Sequence, residues 1–372
     1  MVTLTQDLDI FVAGGGPAGL AAAIAAQRRG FRVALADPGY PPIDKACGEG
    51  LLPDGVAALE ELGVSLGPAD AMPFHGIRFV QASLSAEARF PSRSAVGVRR
   101  TALHRVLVEC AERAGVQLLW GTPVTGIGPH VAMLGAGKTV RCRWIIGADG
   151  EASRIRSWAA IDSPAATLRR FGFRRHYRIS PWTDFMELHW GDAFQIYITP
   201  IAPGEICVAA LSTDPHFRLD DALARMPELA ARFRRAEPVS TERGAVSASR
   251  RLSEVWRGHV ALVGDASGSV DAITGLGLRL AFRQALALGA ALEAGDLARY
   301  ASEHRRLSLR AGLMASSLLL AGRRRGIRER AMRALAAHPR VFARLVAAHA
   351  GAASHLDFAA AGMALGWRML TA

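Results

Sequence analysis

Gly14, Gly16 and Gly19 stand in the run "DIFVAGGGPAGLAAAIAAQRRGFRVALAD", residues 9–37, at a spacing that lets backbone wrap a pyrophosphate. Each has its own task. Gly14 permits a tight turn, Gly16 lets phosphates approach the main chain, and Gly19 lets the next helix lie close to its strand. The N-terminus of that helix offers unpaired N–H groups and a partial positive charge to the anion. Asp37 follows 18 residues beyond Gly19, where a carboxylate can accept hydrogen bonds from a ribose diol. The elements that must position these groups are legible. Residues 10–13 read as a buried parallel strand, a helix runs to about Arg29, Gly30 ends it, and residues 32–36 return as a second strand. The order is that of a dinucleotide-binding unit.

Three further stretches bear on which dinucleotide. "PPIDKACGEGLLPDG" (41–55) is rich in Gly and Pro where an NAD dehydrogenase would proceed into its next helix. "WIIGADGEASRIR" (144–156) and "HVALVGDASGSVDAITGLGLRLAFRQA" (259–285) each carry an apolar strand into a glycine loop. No second GxGxxG follows a strand, so no separate nicotinamide domain is expected.

At these residues the chain resembles the flavoprotein family of p-hydroxybenzoate hydroxylase, geranylgeranyl reductases and flavin-dependent halogenases, over roughly residues 8–300. The resemblance implies FAD as cofactor, with NADPH or NADH as a transient reductant. It implies an α/β fold: a Rossmann-like FAD-binding domain (1–70, 98–165 and 250–298), an inserted mixed-sheet substrate domain of α+β character (71–97 and 166–249), and a C-terminal helical segment (299–372). It assigns to the cofactor Gly14, Gly16, Pro17, Ala18, Gly19, Asp37, Lys45, Ala46, Gly48, Arg100, Val124, Asp149, Asp265, Gly275, Gly277 and Leu278. Arg100 opens the second helix of the FAD domain, and Leu103, Leu107 and Cys110 hold helical spacing behind it. Asp149 divides between nicotinamide docking and a turn hydrogen bond. Asp265 is assigned to the ribityl and pyrophosphate region. The helix after Gly275 aims its N-terminus at the pyrimidine end of the flavin, where its dipole suits negative charge. Cys47 matches a cysteine that geranylgeranyl reductases place near the flavin.

In "DAFQIYITP" (192–200), Phe194, Ile196 and Ile198 point one way and Gln195, Tyr197 and Thr199 the other. In the resembled fold this strand lines the cavity over the flavin, which makes the second set substrate-facing. His176, His189 and Trp190 are lesser candidates. A halogenase would carry WxWxIP and an active-site lysine. No such segment exists, and Lys45 and Lys138 lie elsewhere. A geranylgeranyl reductase would show YxWxFP, where this chain has Gln195-Ile-Tyr197-Ile-Thr199-Pro200, and Asp271-Ala272 stands where Asn-Pro is common. These departures rank a monooxygenase on an apolar, aromatic or polyketide-like molecule first, a prenyl-lipid reductase second and a non-catalytic FAD-binding protein third.

With 372 residues, half of them hydrophobic and 21% charged, the chain can bury a substantial core. Cys47, Cys110, Cys142 and Cys207 form no CxxC pair and no zinc spacing. The glycine loop lies too near Met1 to leave room for a signal peptide, and "GLMASSLLLAG" (312–322) is too short to span a bilayer. A reduced, metal-free, cytoplasmic protein is expected. Of the net charge of +12, residues 299–349 supply ten, as twelve Arg against two Glu. Only Tyr300 and Phe342 accompany them, too few aromatics for nucleic acid. This segment reads as a solvated helical face or as a peripheral contact with anionic lipid at the inner membrane face, Leu318, Leu319 and Leu320 lying beside Arg323, Arg324 and Arg325.

Overall fold

The apolar run Leu8–Ala13 forms the central strand of a largely parallel sheet in the computed structural model, which describes residues 8–161 and 169–371. Thr139–Gly147 pairs on one side of it and Val33–Asp37 on the other, followed outward by Val260–Leu262 and Gln117–Trp120. All five run parallel. Their interiors read as continuous hydrophobic stretches because helices cover the sheet. The helix Pro17–Gln27 is rich in alanine and nearly all buried, packed closely beside Gly277–Glu293 and Arg100–Ala114. Small side chains permit that approach.

A second, mixed sheet is built from Leu84–Arg89, Gly76–Gln81, Phe185–Trp190, Phe194–Ala202, Glu205–Ser212 and Arg169–Arg178, with Arg243–Ala248 beside the last. Segments far apart in sequence therefore share one sheet, joined by the parallel pair Phe185–Trp190 and Gly76–Gln81. Phe194, Ile196 and Ile198 face one layer, packed against the helices Leu219–Ala224 and Pro227–Phe233. The opposite face carries Leu188, Trp190, Tyr197 and Leu211, and meets Ile273 of the third glycine loop. The alternation expected of residues 192–200 is present. A small sheet of Gly50–Leu51, Ala95–Val98 and Ala71–Phe74 is interleaved in sequence with the two larger ones and packs on Phe194–Ala202.

Four helices follow: Leu297–Arg323, Arg325–Ala337, Pro339–His349 and His355–Thr371. The first is pinned to the parallel sheet. Tyr300 Oη donates to the Leu262 carbonyl, and Ser267 Oγ and His304 Nε2 lie 2.8 Å apart. Its far end covers the second sheet, where Leu318 and Leu319 pack inward against the Trp190 and Tyr197 cluster. Of Leu318, Leu319 and Leu320, only Leu320 is exposed, because the helix turns the other two onto the sheet. Among the described residues no helix is long and apolar enough to cross a membrane.

Candidate functional site

The first glycine loop is shaped by contacts that side chains would destroy. Gly14 sits at φ +115°, and a Cβ on Gly19 would collide with the Gly14 carbonyl. At Gly16 a Cβ would meet nothing within 4 Å, so open space lies where a pyrophosphate would approach. Pro17 occupies the first turn of the helix, and no side chain caps its N-terminus. Ala18 packs against Gly264 of the third motif. Asp37 Oδ2 accepts the Gly15 N–H at 2.6 Å and Oδ1 the Gly39 N–H at 2.7 Å. Each carboxylate oxygen has a second lone pair for a ribose hydroxyl. The Thr122 N–H donates to the Asp37 carbonyl at 2.9 Å, bringing the strand Val124–Gly128 beside this end of the site with Val124 half-buried.

His104 completes the loop, and no motif announced it. Its Nδ1 accepts the Ile43 N–H at 3.4 Å, so Nε2 carries the proton and donates to the Gly15 carbonyl at 2.8 Å. Burial holds its pKa below the usual histidine value, consistent with this neutral tautomer.

The third motif meets the first. The Gly264 N–H donates to Gln284 Oε1 at 2.9 Å, and Asp265 lies 3.3 Å from Lys45 Nζ. Two assigned cofactor residues separated by 220 positions are thus side by side. Gly275 adopts φ +64°, Gly277 opens the helix Gly277–Glu293 and Leu278 is half-buried in its first turn. That N-terminus has neither a side-chain cap nor an acidic residue, and nothing lies within 4 Å of a Cβ built on Gly275 or Gly277. Asp149 adopts the turn role of its two assigned ones. It accepts Ser153 Oγ–H at 2.5 Å and the N–H groups of Arg154 at 2.7 Å and Ile155 at 3.1 Å, capping the helix Arg154–Trp158.

Between these motifs runs the loop 44–49, clamped by the second sheet and by the start of the helix Arg100–Ala114. Asp44 pairs with Arg174 at 2.5 Å and Arg243 at 2.7 Å. Ala46 and Gly48 are half-buried, and the Gly48 carbonyl accepts Thr199 Oγ1–H at 2.7 Å. Glu49 holds a left-handed φ of +57°, a conformation that costs a non-glycine residue about 1–3 kcal/mol. Its carboxylate compensates, accepting the Arg100 N–H at 2.9 Å and lying 2.7 Å from His176 Nε2. Glu49, His176 and Cys207 bring three metal-ligating groups within 4.8 Å, each already hydrogen-bonded: His176 to Glu49 and to Ser240 Oγ at 2.9 Å, and Cys207 Sγ to the Cys47 carbonyl at 3.7 Å. Cys47 sits half-buried at the crest of this loop. Burial pushes its thiol pKa up, while the Arg100 charge pulls the other way.

The sequence itself carries a signal for this clamp. "RRFGFRRHYR" (169–178) is a strand whose even positions include Arg170, Arg174 and His176 on one face, all buried. Alternating cations on a buried strand require partners. Here they are Asp271, Asp44 and Glu49.

Gln195, Tyr197 and Thr199 share one face of their strand, Tyr197 and Thr199 each engaged with a loop and Gln195 with Arg170. Tyr197 Oη donates to the Ile273 carbonyl at 2.7 Å, and Gln195 Oε1 accepts from Arg170, which pairs with Asp271 at 3.1 Å. Buried polar groups must be paired, and these pair by docking the sheet onto the loops. His189 is structural, 2.9 Å from Glu187, which also holds Arg78 at 3.0 Å. Three buried polar atoms near the junction have no partner: Arg100 Nε, Asp271 Oδ2 and Trp190 Nε1. The Arg100 guanidinium also has no carboxylate partner among the described residues. An open Gly16, two uncapped helix N-termini and an unpaired cation fit a large dianionic dinucleotide.

This fold and site define an FAD-dependent oxidoreductase. The family described as FAD binding domain matches residues 7–196, just over half the chain, and the chain belongs to it. It is 31% identical to menaquinone reductase of Mycolicibacterium smegmatis over 73% of this chain and 72% of that protein. It is 25% identical to digeranylgeranylglycerophospholipid reductase 1 of Methanothermobacter thermautotrophicus over 82% and 83%. A flavoprotein/dehydrogenase from Cytophaga hutchinsonii shares the fold at TM-score 0.82 and 20% identity, with 98% of each chain covered.

Proposed function

We propose that the protein is a flavin-dependent reductase that saturates a carbon–carbon double bond in a long isoprenoid-type lipid. The observation that carries this reading is the apolar face opposite the flavin loops. Met186, Leu188, Trp190, Tyr197 and Leu211 form it, and Leu318, Leu319 and Met332 close it from outside. Such a face holds hydrocarbon and excludes water. The titratable groups beside it are paired, His176 with Glu49, His189 with Glu187 and Asp271 with Arg170, which suits hydrocarbon better than activation of a phenol. The two named relatives support the same reading, since menaquinones and digeranylgeranyl lipids are both built on isoprenoid chains.

When bound, FAD supplies a hydride to the double bond, with NADPH or NADH as its transient reductant. The chain's own residues hold and orient it. The Gly16 backbone and the N-terminus of Pro17–Gln27 take the pyrophosphate, Asp37 the ribose diol, and Arg100, Lys45 and Asp265 the groups between. The N-terminus of Gly277–Glu293 favours negative charge at the flavin ring. Cys47 Sγ, kept protonated by burial, holds a proton on the loop that faces the same junction.

A monooxygenase is the second reading. Gln195 and Thr199 favour it, polar where a prenyl reductase carries an aromatic wall, as does Asp271-Ala272 in the flavin loop. Turnover under 18O2 separates the two. The reductase reading expects product without label; labelled product would establish the monooxygenase.

A further inference from the structure

The last helix, His355–Thr371, packs Phe358 and Leu365 inward and turns a second apolar row out. Leu356 is 82% exposed, Met363 71%, Trp367 65% and Leu370 79%. Their spacings of seven, four and three residues place them on one helical face. Leu297–Arg323 repeats the arrangement. Leu307, Ala311, Met314 and Leu318 pack inward, while Leu309, Leu313 and Leu320 are about half exposed. Arg310 ties Leu297–Arg323 to the end of Pro339–His349 and the turn after it, donating to the carbonyls of Ala348 at 2.9 Å and Ala353 at 2.6 Å. The inward residues of both helices share one core cluster. Single exposed leucines are ordinary on a protein surface, but rows of them on two helices of one core are not.

The charge around these rows selects the occupant. Arg305, Arg323, Arg324, Arg330 and Arg340 are exposed, and no carboxylate pairs with them among the described residues. Residues 299–349 carry ten surplus positive charges. A second copy of the chain would set that charge against itself. An anionic bilayer offers the opposite sign to the arginines and an acyl boundary to the apolar rows.

We propose that the exposed rows of His355–Thr371 and Leu297–Arg323 form a docking surface for an anionic lipid bilayer. This inference stands apart from the reaction proposed above. It bears on it in one respect: Leu319 packs on the Trp190 and Tyr197 cluster and Leu320 is exposed, so one helix separates the docked bilayer from the flavin-side face.

The test is flotation of the full FAD-loaded chain with phosphatidylglycerol/phosphatidylcholine vesicles, with pure phosphatidylcholine as control. Binding to the anionic vesicles at low salt, and its loss in about 0.5 M salt, is expected. The triple variant Leu356→Ser/Met363→Ser/Leu370→Ser should retain FAD and bind at least about tenfold more weakly. Should that variant lose FAD, brominated lipid provides the check. It should quench the tryptophan fluorescence of the intact protein, and quenching should fall in Trp367→Phe, which keeps the apolar face. Absence of binding to anionic vesicles at low salt overturns the proposal. So does a stable homodimer that fails to bind vesicles and dissociates in the triple variant, since a second copy would then cover the rows.

Discussion

Gly16 and Gly19 lie three residues apart in one motif, and replacing them has opposite consequences. A Cβ on Gly16 meets nothing in the protein, so Gly16→Val should leave the melting temperature of the FAD-free protein nearly unchanged and abolish FAD retention. A Cβ on Gly19 strikes the Gly14 carbonyl, so Gly19→Val should destabilise the fold itself. Thermal melts of both variants, with and without FAD, check this. Asp265 is only half-buried and its protein partner is Lys45. Asp265→Ala should therefore lose about 1.5–3 kcal/mol of FAD binding, roughly a 10- to 150-fold weaker Kd by titration, with little loss of stability. At this scale the glycine and Asp37 positions were legible because each motif is local in sequence. Glu49, Arg174 and His104 were not, because their partners lie on other elements and no spacing rule joins them.

Between elements, the junction of sheet and flavin loop rests on a buried charge pair. Arg170 and Asp271 lie 3.1 Å apart, both almost fully buried. Asp271→Ala would strand the Arg170 charge and should cost about 3–5 kcal/mol, whereas Arg170→Met/Asp271→Leu should recover most of it, as read by urea unfolding. The helix Leu297–Arg323 adds a pH-dependent tie. Burial pushes the His304 pKa down to about 4, against about 6.5 for an unfolded histidine. The unfolded state then binds the extra proton, so the contribution is full above about pH 6.5 and is lost as pH falls towards 4, at most about 3 kcal/mol. Melting temperatures from pH 7 to 4 should fall more steeply for the wild type than for His304→Gln. Strands and helices of the FAD domain were legible from periodicity and glycine punctuation. The inward turn of Leu318 and Leu319 was not, because a leucine run beside arginines reads alike whether it covers a sheet or meets lipid.

Across the whole molecule, the glycine motifs mark the FAD fold, and the proposed reaction rests on how the C-terminal helices meet the second sheet. That contact makes the flavin-side face apolar, and residues 192–200 alone show only its polar half, Gln195, Tyr197 and Thr199. Those three hydrogen-bond to loops and to Arg170, so the strand's own sequence misstates the character of the face. The most direct measurement is a single turnover under argon. Chemically reduced, FAD-loaded protein is mixed with a polyprenyl lipid that carries no redox-active headgroup, such as a polyprenol, and both flavin absorbance and lipid mass are followed. The reductase account predicts that the flavin reoxidises without oxygen as the isoprenoid chain gains two hydrogens. A flavin that stays reduced under argon with the lipid unchanged, followed by an added oxygen atom in the lipid when O2 is admitted, would contradict it.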